Sequence, residues 1–132
     1  MYMEHQSSNQ SRSRNGNDFE KVFTELTGIQ KMKKKDKPSF VNSHGLKQLI
    51  DFDFATEING TKIYVDVTTT YRSDRQKQKA YNAFMMKTKL NVDCKFYMVV
   101  KSLVENGKTK TVNLLEGMDE VMDINQFIKL IK

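Results

Sequence analysis

Cysteine and proline each occur once, histidine twice and tryptophan not at all in these 132 residues, and the scarcities remove whole classes of chemistry. Cys94 has no partner for an internal disulfide or a CxxC zinc site, and its place in an apolar run marks it as a buried thiol of a reducing compartment. His5 and His44 provide no pair for a histidine-based metal or nuclease centre, and His44, in Ser43-His44-Gly45, reads as a loop residue. None of the six glycines falls in GxxxxGK[ST], GxGxxG or GxSxG, and HExxH is missing too. P-loop, dinucleotide-cradle, nucleophile-elbow and zincin chemistry are therefore unsupported, and no aromatic RNP pattern points to an RNA-recognition sheet. No apolar run approaches the roughly 20 residues that span a bilayer, and the mean hydropathy of −0.64 fits a soluble chain without membrane association. Met1-Tyr2-Met3-Glu4-His5 lacks the apolar stretch of a secretory leader, so an intracellular location is expected, cytoplasmic or, in a eukaryote, nuclear.

Positive charge is what the chain has in excess. The net charge of +6 suits a polyanionic partner. Lys31, Lys33, Lys34, Lys35 and Lys37 form one cluster, and Arg72, Arg75, Lys77 and Lys79 form a second. Residues 1–16, rich in Ser, Asn, Gln, Arg and Gly, bury too little apolar surface to offset the entropy of ordering and read as a flexible tail. Residues 17–132 read as one domain with one modest core.

Phe19, Val22, Phe23 and Leu26 carry helical spacing after a cap at Asn17 or Asp18, and Gly28 ends that helix. Pro38 opens a short strand, Ser39–Val41. A second helix runs from a cap at Ser73 or Asp74 to about Lys89, burying Ala80, Tyr81, Phe84, Met85 and Thr88, with Arg75, Lys79 and Asn82 on its other face. The apolar run from Cys94 to Val104 predicts a central strand covered on both faces. An Asn106-Gly107 turn leads to a strand over Thr109–Leu115, and Asp123 caps a last helix bearing Ile124, Phe127, Ile128 and Ile131. This order predicts an α/β (α+β) domain with a mixed sheet and helices on both faces.

The most pointed feature is a pair of alternating runs, Leu49–Ala55 and Lys62–Thr68, joined through Asn59-Gly60, the dipeptide favoured in a two-residue type I′ turn. That turn sets Phe54 against Val65, Phe52 against Val67 and Asp53 against Asp66. Like charges opposed on one sheet face repel, whereas a divalent cation between them turns the repulsion into a binding site, and all-oxygen ligation suits Mg²⁺ or Mn²⁺. Asp51, two residues before Asp53, is an alternate ligand or a solvated strand-edge acid. The basic segment that follows could hold a phosphate backbone beside the metal.

At these residues the chain resembles the PD-(D/E)xK nuclease superfamily, whose restriction-endonuclease-like core is αβββαβ, and in spacing its Holliday junction resolvase branch. The resemblance spans roughly residues 17–103 and adds a C-terminal strand and helix to that core. It implies Mg²⁺-dependent DNA hydrolysis, with Asp53 as the second-strand acid, Asp66 as the (D/E) position, Glu20 as the first-helix glutamate and the Val67 carbonyl as a further ligand. The family's lysine position is Thr68, which carries no charge. Three readings follow: the cation has moved to Lys79 or Arg75 on the next helix, the metal suffices alone, or activity is lost and nucleic-acid binding or an assembly role remains. Arg72, Arg75, Lys77, Lys79, Lys33, Lys34 and Lys35 are the expected DNA contacts. A homodimer would set two sites on two strands.

Overall fold

A computed structural model describes residues 18–132; the expected tail over residues 1–16 lies outside the described residues. Residues 18–27 form helix α1, and Gly28, at φ 77°, closes it in the left-handed conformation open to glycine. A 3-10 turn, Lys34–Asp36, leads into β1 (Ser39–Val41) and β2 (Lys47–Leu49), which pair antiparallel as a separate two-stranded ribbon. The main chain of elements is β3 (Phe54–Ile58), β4 (Thr61–Thr70), α2 (Ser73–Lys89), β5 (Lys95–Ser102), the small hairpin β6 (Val104–Glu105) and β7 (Lys108–Thr109), β8 (Glu120–Asp123) and α3 (Ile124–Ile131).

The architecture is mixed α/β: three helices and a main four-stranded sheet in the order β3-β4-β5-β8, with helices packed against it. β3 runs antiparallel to β4, while β4, β5 and β8 are parallel neighbours. Asn59 and Gly60, at φ 51° and 81°, make the expected turn. The register follows from it, with Phe54 paired to Val65 and Glu57 to Lys62.

The sheet divides the single expected core in two. Ile63, Val65, Val67, Tyr97 and Val99 pack against Phe19 and Phe23 of α1 and Ile124 and Phe127 of α3. Tyr64, Phe96, Met98 and Val100 pack on the other face against Ala80, Ala83 and Met86 of α2. Apolar residues at consecutive positions of β4 and β5 are thus the mark of strands covered on both sides. Asp123 caps α3 as expected, and Gln126 completes the cap reciprocally. Among the described residues no helix is long and apolar enough to cross a membrane.

Several expectations give way. The run 49–55 is not one strand: Ile50 and Phe52 are buried on the α2 side while Phe54 is buried on the opposite side, so the chain reverses face at Asp53. Phe52 packs against Phe96, with ring centroids 4.9 Å apart, instead of joining Val67. Ser39–Val41 pairs with β2 and not with the main sheet, and residues 110–115 are irregular, the fourth strand being Glu120–Asp123. On α2 the buried stripe is Gln76, Lys79, Ala80, Ala83 and Met86, leaving Tyr81 and Phe84 exposed, and the N-cap is Arg72, whose side chain makes no capping bond. The small Ala80 and Ala83 let the helix sit close on the sheet, and the acids next to them turn Lys79 inward.

Candidate functional site

Where the chain turns at Asp53, the β3 ladder stops at Phe54 and Val65, so β4 continues alone on that side. Asp66 lies one residue past this point, on the face turned to α2, and is 0 % exposed. A carboxylate so placed is tolerable only if paired. α2 supplies the partners: Arg75 grips Asp66 with two parallel bonds, Nε to Oδ2 and Nη2 to Oδ1, both 2.9 Å. One turn on, Lys79 brings its buried ammonium within 3.6 Å of Asp66 Oδ1. The same Nζ donates to the Asp51 carbonyl at 2.8 Å and to Asp51 Oδ2 at 3.2 Å. The next turn adds Asn82, whose Oδ1 accepts from the Asp51 amide at 3.2 Å. The stripe Arg75, Lys79, Asn82 therefore does share one face, and that face is the one turned to the acids.

Asp53 does not meet Asp66 in a ladder pair. Its Oδ1 accepts from Lys37 Nζ at 2.9 Å, and the same ammonium reaches Asp51 Oδ1 at 3.3 Å. Asp51 is thus the hub, one oxygen on Lys37 and the other on Lys79. Carboxylates and cations alternate as Asp53, Lys37, Asp51, Lys79, Asp66, Arg75, three of each sign. Glu20 stands at the flank of this row, 3.0 Å from Lys31, and the charge of Asp53 is felt at Lys31.

Electrostatics follow the pairing. Arg75 is held above the ordinary arginine value first by its bonds to Asp66, against the opposing cost of burial, with Asp53 and Asp51 adding to the field. Burial works against the charged forms of Lys37 and Asp51, yet their partners prevail: Lys37 ends above the usual lysine range and Asp51 below the usual carboxylate range.

The other expected residues are dispersed. Val67 is buried in the sheet with its side chain toward α1 and α3, and Thr68 follows on the Asp66 face. Arg72 pairs with Asp74 in solvent. Lys77 lines a separate cavity of about 540 Å³ with Gln76 and Lys110. Lys33, Lys34 and Lys35 are exposed and make no ion pair among the described residues. Tyr71 is packed, its hydroxyl accepting from Gln76 at 2.9 Å.

Two participants escaped the sequence. Lys37 is one lysine of a run, and nothing local separates it from its neighbours; only the fold carries it to Asp51 and Asp53. Gln76 is almost fully buried and ties α2 to the segment after β7 through the Asn113 carbonyl and the Leu115 amide.

Among the described residues no three His, Cys, Asp or Glu side chains gather into a metal-holding group. A dedicated cage is not what Mg²⁺ needs, since it is commonly held by one or two carboxylates with waters and substrate phosphate. The ammonium groups of Lys37 and Lys79 each stand where two carboxylates converge, Asp51 with Asp53 and Asp51 with Asp66, so a divalent ion would have to displace a lysine to reach either pair. No protein-family model matches the chain, and no curated protein is significantly similar to it.

Proposed function

We propose that this protein is a Mg²⁺-dependent DNA endonuclease of the PD-(D/E)xK type in which the motif lysine has moved from the position of Thr68 to Lys79. The observation that carries the reading is the buried ammonium of Lys79 set between Asp51 and Asp66. A lysine kept out of solvent against two acids has a specific position to hold, and a neutral Thr68 on the same strand face leaves that position to be filled from elsewhere. In this proposal Asp66 and Asp53 are the ligands of the ion, with Asp51, the Val67 carbonyl and Glu20 as further candidate donors. When bound, Mg²⁺ supplies acidification of water and polarisation of a phosphoryl oxygen.

The chain's own residues do the rest. Lys79 places positive charge beside the attacking water and lowers the cost of its deprotonation. Arg75, partly exposed beyond its bond to Asp66, can meet a phosphate oxygen at the mouth of the site. Arg72, Lys77, Lys33, Lys34 and Lys35, though dispersed over the surface, add positive charge that suits a DNA backbone. A domain of this size spans little duplex, so two copies would serve two strands.

A second reading, a nuclease-fold DNA-binding or assembly subunit without activity, is favoured by one observation: Arg75 takes both oxygens of Asp66, and the three acids are matched by three cations. Cleavage of linear, nicked and four-way-junction DNA with Mg²⁺ or Mn²⁺ decides between them. The enzyme reading expects cleavage that Asp66→Asn abolishes and thermal stabilisation by the metal that the same substitution removes. If neither metal stabilises the protein and no substrate is cut, the binding reading replaces it.

A further inference from the structure

We infer that the β1–β2 ribbon is a DNA-reading arm that enters the major groove and is tied mechanically to the acid row. This rests on the proposed DNA substrate and adds which element reads it. Of the six lysines between Lys31 and Leu49, Lys31 and Lys37 are paired with acids, while Lys33, Lys34 and Lys35 before the ribbon and Lys47 within it make no ion pair among the described residues. The ribbon is not part of the main sheet. Its foot is anchored by Phe40 and Ile50 in the α2-side core, and its end is exposed, with Val41 and Leu46 68 % and 64 % accessible.

The tip is built rather than loose. Asn42 Oδ1 accepts from the His44 amide at 2.9 Å and the Leu46 amide at 3.1 Å. The Asn42 amide donates to the Leu46 carbonyl at 2.9 Å, and the Gly45 amide to the Asn42 carbonyl at 3.0 Å. This locked turn turns Ser43, His44 and Leu46 outward: a donor and acceptor, an imidazole and an apolar contact for a thymine methyl. With Phe40 held in the core, the part that projects is the Val41–Lys47 pair and the turn, which can meet base edges in a major groove that admits a two-stranded ribbon. Lys33, Lys34 and Lys35 at the foot fall where the flanking phosphates would run.

The tie to the site is at the foot. Lys37 enters β1 and Asp51 leaves β2, and the two are joined at 3.3 Å while each holds a second member of the row, Asp53 and Lys79. A ribbon seated in its groove would therefore bear on the acids that surround the reacting phosphate.

The test separates tip from foot, using the full-length protein without added metal and a fluorescent pool of random-sequence duplexes. His44→Ala/Leu46→Ser, both at exposed positions, should narrow the spread of affinity between best-bound and average duplex by about tenfold while leaving the salt dependence unchanged. Lys33→Gln/Lys34→Gln/Lys35→Gln should leave the spread and reduce the slope of log K against log salt by about one per lost phosphate contact. An unchanged spread in the tip variant, or a tip variant whose only change is loss of self-association in sedimentation, overturns the inference. Selective binding that depends on the tip with no cleavage under any metal refutes the nuclease and leaves the arm; cleavage with tip-independent selectivity does the reverse.

Discussion

Replacing Arg75 by methionine removes both short hydrogen bonds to a carboxylate that is 0 % exposed and leaves it only Lys79 at 3.6 Å. Stripping one member from a buried ion pair costs about 3–5 kcal/mol, because the remaining charge is left without water or counter-charge. The Arg75 side chain is itself 34 % exposed, which screens the pair and places the expected loss at the lower end, about 3 kcal/mol. For a domain of this length that lowers the midpoint of thermal unfolding by roughly 10 °C. In an Asp66→Asn background the same substitution strands no charge and should cost under about 1 kcal/mol, so the coupling in a double-mutant cycle exceeds 2 kcal/mol. Mg²⁺ adds a further readout. If Asp66 is a metal ligand, Arg75→Met frees its oxygens, and at ten times the dissociation constant the ion restores about 1.4 kcal/mol. Urea unfolding of the four proteins, with and without Mg²⁺, measures all of this. An Arg75→Met protein within 1 kcal/mol of wild type (roughly the size of an ordinary substitution) would refute the claim that Arg75 offsets the cost of burying Asp66.

Three further outcomes are expected. Lys79→Met should reduce cleavage at least about 100-fold while DNA binding changes little, and adding Thr68→Lys to that variant should recover part of the rate in single-turnover assays; no loss in Lys79→Met refutes the displaced-lysine reading. Asp51 is depressed in the folded state, so its contribution to stability is full above the ordinary value of 3.8 and is lost as pH falls through the lower folded value. The stability difference between wild type and Asp51→Asn should thus hold steady at neutral pH and shrink on acidification below 3.8, as followed by chemical unfolding at a series of pH values. Gly117→Ala should destabilise by about 2–3 kcal/mol in a melting experiment, since φ is 97° and a Cβ would stand 2.7 Å from the Ala80 carbonyl oxygen of α2.

Much of this molecule is legible from local pattern. Asn59-Gly60 sets the hairpin register because few other residues accept positive φ at both turn positions, and Asp123 with Gln126 declares the start of α3. The run after Cys94 announces a strand with two covered faces. Asp53 and Asp66 stand out as acids in otherwise apolar runs, and Arg75, Lys79 and Asn82 stand out at helical spacing. The failures have a common cause. Period two cannot reveal that the chain reverses face at Asp53, because Phe52 and Phe54 look equally apolar and only the space beneath α2 draws Phe52 to Phe96. The rotation of α2 is hidden for the same reason: Tyr81 and Phe84 are as hydrophobic as the alanines that displaced them from the sheet.

Turn chemistry, caps and the apolar runs of β4 and β5 are short-range properties, so the Asn59-Gly60 hairpin, α2, β5 and α3 and most of the acids and bases were already present in the order of residues. Which acid meets which base was not. Asp51 becomes the hub between Lys37 and Lys79, partners 14 and 28 positions away, because folding sets the foot of the ribbon, the end of the β3 ladder and one face of α2 around a common point. Charges find one another through space, and no local pattern in the chain records that distance.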